Sequence, residues 1–293
     1  MSDARRTVDE PTGTETTGHE WDGIRELDTP MPRWWLWILY ATIVWAIGYM
    51  ILYPAVPLLE RAWPGLLEYS SRQELEGEIA RVAASRGELD ARIAAASFEE
   101  IRADPVLLDY AQRSGASAFK LVCVQCHGSG AVGSQDLGYP NLNDDAWLWG
   151  GTLDAIFHTI SHGVRNSEDP QARNSPMPAY GTLGILTRQQ IGDVADYVLS
   201  LSAADHDAEA AARGAETFRA QCAACHGAGG EGNPELGAPR LSDPIWLYGG
   251  TREEIAAQVR EPQHGAMPPW AQRFDEATRK QLAIYVHSLG GGQ

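Results

Sequence analysis

Four cysteines serve the whole 293-residue chain, and all four fall in two short strings. "CVQCHGSG" begins at Cys123, and "CAACHGAG" begins at Cys222, 99 residues further on. In each, two residues separate the thiols and a histidine follows at once: Cys123, Cys126, His127 and Cys222, Cys225, His226. Cys-x-x-Cys-His is the attachment signature of c-type haem. Two thiols at this spacing can add to the two vinyl groups of one porphyrin, and the adjacent histidine then lies under the iron as its proximal ligand. A four-cysteine zinc site can use two Cys-x-x-Cys pairs. It would not need a histidine after each pair, nor two complete repeated modules. A thioredoxin-like dithiol needs a βαβ setting, which the sequence lacks. A disulfide within each pair would close a tiny loop and leave the histidines unexplained. The residues therefore point to two covalently bound haem c groups.

The sixth ligand separates electron transfer from catalysis, because a second strong ligand closes the iron and a methionine sulfur raises its potential. Of five methionines, Met1, Met31 and Met50 fall in the amino-terminal tail or an apolar run. The other two, Met177 and Met267, occupy matching points of a repeat, each followed by proline. They are the expected distal ligands, with His127 and His226 proximal. His158 and His162 lie four apart on an expected helix, but their counterparts are Ala257 and Glu261, and the counterpart of His264 is Asn174. These three histidines read as surface or packing residues. Trp147 and Trp246, with Trp149 and Tyr248 two residues on, are expected to pack near the haems, and Arg165 is a candidate partner for a haem propionate.

The elements that must hold these residues are themselves duplicated. Phe119, Pro140, Leu142, Trp147, Gly150 and Thr152 recur 99 positions later as Phe218, Pro239, Leu241, Trp246, Gly249 and Thr251. The offset then falls to 90, where "SPMPAYG" matches "GAMPPWA", so the first copy carries about nine extra residues within "RNSEDPQARN". A module of roughly 90 residues is small for a stable core without a staple or cofactor. Thr187 with Gln190, and Thr251 with Glu254, fit capping boxes. Ile191, Val194, Tyr197, Val198 and Leu201 share one helical face, as do Leu282, Tyr285, Val286 and Leu289, with Gly290 as a stop. No run in the modules alternates like a strand, so each is expected to be mostly helical.

From Trp34 to Leu59 no residue is charged. A helix over its first twenty residues would rise about 30 Å, the thickness of a bilayer's hydrocarbon core. Trp34, Trp35 and Trp37 at one end, with Tyr53 and Trp63 at the other, suit an aromatic belt. The run is too long and too deep for a signal peptide and lacks a small-residue cleavage site. Basic residues are balanced across it, with Arg25 and Arg33 before and Arg61 and Arg72 after, so charge does not orient it. Haem c does: attachment takes place outside the bacterial cytoplasmic membrane, so both modules are expected there. The net charge of −16 speaks against nucleic acid as a partner and suits a basic protein partner. The fold class expected is mainly α: one amino-terminal transmembrane helix, then two tandem cytochrome c-like helical domains. The divisions are a cytoplasmic tail at 1–33, the transmembrane helix at 34–56 and a periplasmic linker, partly helical over 71–102, at 57–112. Cytochrome c domains follow at 113–203 and 204–293.

The stretch "TTGHEWDGIRELDTPMPRWWLWILYATIVWAIGYMILYPAVPL" resembles the amino-terminal signature of the dihaem cytochrome c subunit of cbb3-type cytochrome c oxidase. The order of tail, anchor and two modules matches that family too. The resemblance implies a place in the bacterial inner membrane and a role in respiration. Electrons would arrive from a soluble or membrane-bound cytochrome c, or from quinol–cytochrome c reductase. They would pass through two haems to a monohaem cytochrome c subunit, and so to a catalytic subunit whose b-type haem and copper reduce oxygen. The subunit would belong to an enzyme without holding its oxygen-reducing site. The rival readings are a dihaem peroxidase, a haem-based sensor or assembly factor, and the electron-transfer subunit of another periplasmic oxidoreductase. The first two need an iron that can open, which the paired methionines disfavour.

Overall fold

The computed structural model describes residues 6–60 and 62–290. Met1, Arg61 and the last three residues of the second expected domain lie outside the described residues. The chain divides into two compact units, Met1–Ala83 and Ala84–Gln293.

In the first unit, strands β1 (Thr16–Trp21) and β2 (Ile24–Leu27) pair antiparallel within what reads as a polar tail. The turn between them is Asp22–Gly23, both at positive φ, 52° and 83°. That dipeptide is a strong hairpin signal, since a turn matching strand twist needs φ above zero at both central positions. Helix α1 (Arg33–Leu52) follows. It starts one residue before the expected span and ends four residues short of it. With mean hydropathy 1.8 and 0% of its most apolar window buried, it is long and apolar enough to cross a membrane. Helix ends leave carbonyls unpaired. Here Leu66 N donates to Ile51 O (2.9 Å) and Leu67 N to Leu52 O (3.0 Å), so the proline-rich segment folds back as a cap. Gly65 permits that return: a Cβ there would strike the Leu52 carbonyl.

Helix α2 (Ser71–Ala95) agrees with the expected helical linker. Leu75, Ile79 and Val82 are exposed, whereas Ile93 is fully buried. The helical run then breaks at Ser97, which caps α3 (Phe98–Ala103) in a capping box with Glu100. Asp104 caps α4 (Pro105–Val122).

In the second unit α4 runs into a single turn, α5 (Val124–His127). Next come α6 (Leu153–His162), α7 (Arg188–Leu201) and α8 (Ala208–Gln221). A second single turn, α9 (Ala223–His226), precedes α10 (Arg252–Arg260) and α11 (Glu276–His287). Both expected capping boxes are formed, Thr187 with Gln190 and Thr251 with Glu254.

The last helix of each sequence repeat packs on helices of the other repeat. The last helix of the first copy, α7, packs on α8 and α10, which belong to the second copy; the last helix of the second, α11, packs on α4 and α6 of the first. Two cores result. One combines Leu107, Phe119, Leu153 and Ile156 with Leu282, Ala283, Ile284 and Val286. The other combines Ile191, Val194 and Val198 with Phe218, Ile255 and Val259. Equivalent contacts hold both crossings: Phe119 meets Tyr285 at 5.4 Å between ring centroids, and Phe218 meets Tyr197 at 5.0 Å. Gly115 and Gly214 let the backbones approach, because a Cβ would run into the Gln281 and Asp193 carbonyls. Polar ties reinforce these contacts. The Gln281 amide donates to Asp90 Oδ1 (2.8 Å), and Arg213 pairs with Asp193 (2.8 Å). Arg252 reaches the buried Asp196 carboxylate (2.8 Å), which also accepts from Asp207 N (3.2 Å).

Candidate haem sites

Each Cys-x-x-Cys-His string occupies one helical turn at the end of a longer helix. Cys123 N and Cys222 N donate to Phe119 O (2.9 Å) and Phe218 O (2.8 Å). His127 N and His226 N close the turn on the first cysteine carbonyl, at 2.9 and 3.0 Å. Gly128 and Gly227, at φ 75° and 81°, end it. All four thiols are free. Burial, and behind it the neighbouring Cys126 or Cys225, pushes the Cys123 and Cys222 thiols up to about 11.

The two histidines are oriented alike. His127 Nδ1 lies 3.1 Å from Pro140 O, and His226 Nδ1 lies 3.0 Å from Pro239 O. A carbonyl accepts, so Nδ1 carries the proton and Nε2 keeps a lone pair for a metal. Burial holds both imidazoles below the ordinary histidine value, opposed by the proline carbonyls. A neutral imidazole with a fixed tautomer is the form that ligates iron.

Met177 and Met267 lie on the exchanged segments. A largely apolar cavity is lined by Cys222, Cys225 and His226 and, from the first copy, by Met177, Tyr180 and Val198. Tyr180 Oη donates to Gln221 O (2.8 Å), tying the Met177 loop beside Cys222. Met267 packs with Cys123, Phe119, Trp147 and Tyr285 in the other core. Its backbone pairs with Val164 in both directions, at 2.9 and 3.0 Å. The structure therefore brings Met177 to the second Cys-x-x-Cys-His and Met267 to the first. Two thiols, an imidazole oriented by a carbonyl and a thioether in one largely apolar cavity make a donor set that fits haem c.

The two sites face one another through a pseudo-symmetric contact. The Trp149 ring covers Gly237, where a Cβ would collide with it, and the Tyr248 ring covers Gly138 in the same way. Gln135 Nε2 donates to Trp246 O (2.6 Å) across this contact. Trp246 lines the second cavity as expected, and Trp147 packs beside Met267. His158 and His162 are engaged by the extra residues of the first copy: His158 Nε2 lies near Gln171 O (3.2 Å) and His162 pairs with Asp169 (2.9 Å). Asp169 and Gln171 fall in the extra residues of the first copy. His264 is exposed but reaches the rim of the second cavity.

Comparison with known proteins decides the family. Residues 13–60 match the model described as the N-terminal domain of cytochrome oxidase-cbb3, FixP. Residues 112–202 match cytochrome c, and residues 209–286 match cytochrome c oxidase, cbb3-type, subunit III. The chain is 51% identical over 294 residues, 100% of both proteins, to the "Cbb3-type cytochrome c oxidase subunit FixP" of Sinorhizobium medicae. It is 50% identical over 287 residues, 98% of each, to the "Cbb3-type cytochrome c oxidase subunit CcoP" of Cereibacter sphaeroides. The chain belongs to the FixP/CcoP family of cbb3-type cytochrome c oxidase subunits. Like its relatives, the chain is an electron-transfer cytochrome c subunit of the oxidase, and its cytochrome c domains imply covalently bound haem c.

The residues missed at the sequence level are those that make the exchange: Gly115, Gly214, Gly138, Gly237 and Tyr180. All but Tyr180 repeat at the 99-residue offset, so their duplication was the available signal.

Proposed function

We propose that this chain carries two haem c groups and passes electrons from a cytochrome c donor, or from quinol–cytochrome c reductase, toward the oxygen-reducing subunit of a cbb3-type oxidase. What supports the reading is that each Cys-x-x-Cys-His turn has its histidine oriented by a proline carbonyl and a methionine of the other copy in the same cavity or core. Cys123 and Cys126 would hold one haem, and His127 and Met267 would supply its iron ligands. Cys222 and Cys225 would hold the other, with His226 and Met177. Each iron, when bound, supplies a one-electron ferric–ferrous couple.

The chain's own groups do the rest. The proline carbonyls keep the imidazoles oriented, and the largely apolar lining of the second cavity would keep water from the metal face, which limits reorganisation on electron transfer. The Trp149–Gly237 and Tyr248–Gly138 contacts hold the two sites side by side, as a relay requires. Helix α1 would anchor the chain in the inner membrane with the cytochrome domains on the periplasmic side, beside a monohaem cytochrome c subunit and the b-haem and copper catalytic subunit.

The test is purification of the tagged chain from its own membranes in mild detergent. Assays for b-type haem, copper and cytochrome c-dependent oxygen uptake then follow. All three should travel with two c-type haems per chain. Two c-type haems without oxidase activity, from membranes that retain that activity, would sink the oxidase assignment.

A further inference from the structure

The extra residues of the first copy close on a pair of histidines. His158 and His162 stand four apart on α6, so they share a face, and their ring centroids lie 4.6 Å apart. The second copy has Ala257 and Glu261 at these positions, so the cytochrome module itself needs neither imidazole.

Each imidazole is held at one nitrogen by the extra segment. His162 Nδ1 donates to Asp169 Oδ2 (2.9 Å), and His158 Nε2 donates to the Gln171 carbonyl (3.2 Å). An acceptor fixes the proton on the nitrogen it meets, so the lone pairs fall on His162 Nε2 and His158 Nδ1. Among the described residues neither of these nitrogens has a hydrogen-bond partner. The acceptors are fixed in turn. Gln171 N donates to Asp169 Oδ1 (2.7 Å), which leaves Oδ2 to the histidine, and Asp169 N donates to Asn166 Oδ1 (3.1 Å). The His162 and Asp169 side chains are 21% and 15% exposed, so the pair is shielded from bulk water yet open to a small ion. Arg173 brings a positive charge near His158. Its guanidinium stacks over Trp149 (5.3 Å) and donates to Thr159 Oγ1 (3.1 Å), and the Asp169 carboxylate offsets its charge.

We infer that His158 and His162 form a binding site for a divalent transition-metal ion such as zinc, with Asp169 and the Gln171 carbonyl orienting the two ligands. Two histidines four apart on one helix face can hold zinc together, and imidazole suits zinc, copper and nickel. Histidines that ligate a metal donate their other ring nitrogen to a carboxylate or a carbonyl, which is the arrangement here. Among the described residues no group of three His, Cys, Asp or Glu side chains converges, so water completes the coordination and the ion exchanges freely. The net charge of −16 raises the local concentration of cations. Asn166 Nδ2 links His162 O (3.0 Å) to Met267 O (3.1 Å), so an ion held here stiffens the segment that backs that methionine. The inference stands apart from the haem reading, because its readout is zinc affinity.

The experiment is equilibrium dialysis of the purified full-length chain, its affinity tag removed, against Zn2+ alone, with bound zinc measured by atomic emission. The wild-type chain should bind one ion more tightly than the His158→Gln/His162→Gln double variant does. Each single histidine substitution should weaken that ion at least ten-fold. Asp169→Asn, which keeps both ligands but removes the charge that orients His162, should weaken it about 10- to 100-fold. His264→Gln, which alters an exposed histidine outside the pair, should leave it unchanged. Zinc affinity that any one of the three substitutions at His158, His162 or Asp169 leaves intact, or that His264→Gln abolishes, overturns the site, and the bound zinc is then an adventitious ion only. Far-UV circular dichroism of each variant without zinc checks the fold. His158→Gln, which breaks no ion pair, carries the test should His162→Gln not fold.

Discussion

Met177 and Met267 show how far a single residue can be read. Their pairing in the repeat, each before a proline, marked them as ligand candidates, and the structure sets each against a Cys-x-x-Cys-His turn. Which turn each one serves was not legible, because the two copies present the same residue types. The crossed assignment has a direct check. With the second site emptied by Cys222→Ala and Cys225→Ala, Met267→His should lower the remaining potential. The expected fall is roughly 0.2 V, within the ~0.8 V that axial ligand choice spans. Met177→His should leave that potential in place. The opposite result would return each methionine to its own copy. The histidines carried more information at this scale, since a residue bound to its motif by adjacency cannot be exchanged. Only the carbonyls that orient them, Pro140 and Pro239, needed the structure, although both prolines sit in the repeat.

The capping boxes at Thr187 and Thr251 and the apolar faces of α7 and α11 were readable because a cap and a helical stripe are local properties. The break at Ser97 and the hairpin turn at Asp22–Gly23 were equally local signals, hidden in segments of otherwise good helix formers or polar composition. What a face packs against is not local. Asp196 makes the point: its carboxylate is 1% exposed, faces Arg252 at 2.8 Å and accepts from Asp207 N, so it locks α7 to α10 and to the start of α8. Removing it leaves the Asp207 amide without its acceptor and the arginine without its partner. We expect Asp196→Ala to destabilise the second core by about 3 kcal/mol, at the low end for breaking a buried pair because Arg252 is partly exposed. Equilibrium denaturation monitored at the second site's visible band would read this. Asp193→Ala, which loses a pair with a more exposed arginine, should cost less. Equal losses would show that burial is not what matters.

At the scale of the molecule, the run from Met177 to the end of α10 carries α7, α8 and α10, which pack on one another, together with Cys222, Cys225 and His226, whose cavity Met177 lines. A fragment spanning 172–264 is therefore expected to attach haem and show a methionine-ligated spectrum. The fragment 204–293, a complete sequence repeat, lacks Met177 and α7 and should not. A methionine-ligated spectrum from 204–293 alone would contradict the exchange. Charge also acts at this scale. With a net charge of −16, electron entry from a basic donor should slow several-fold between about 10 and 150 mM salt, as the screening length drops from ~30 Å to ~8 Å. Rates that ignore ionic strength would remove the steering. The sequence by itself determined the haem motifs, the candidate ligands, the apolar helix and the helical character of both repeats, because each depends on neighbours a few residues away. The tertiary structure alone decided which repeat completes which site. Two near-identical copies offer each terminal helix two equally suitable partners, so pattern cannot choose between them. The choice falls to the chain path: only six residues, Ser202–Asp207, join α7 to α8, and so short a connection makes them antiparallel neighbours. Once α7 is committed to the second copy, the first copy's core is left open for α11.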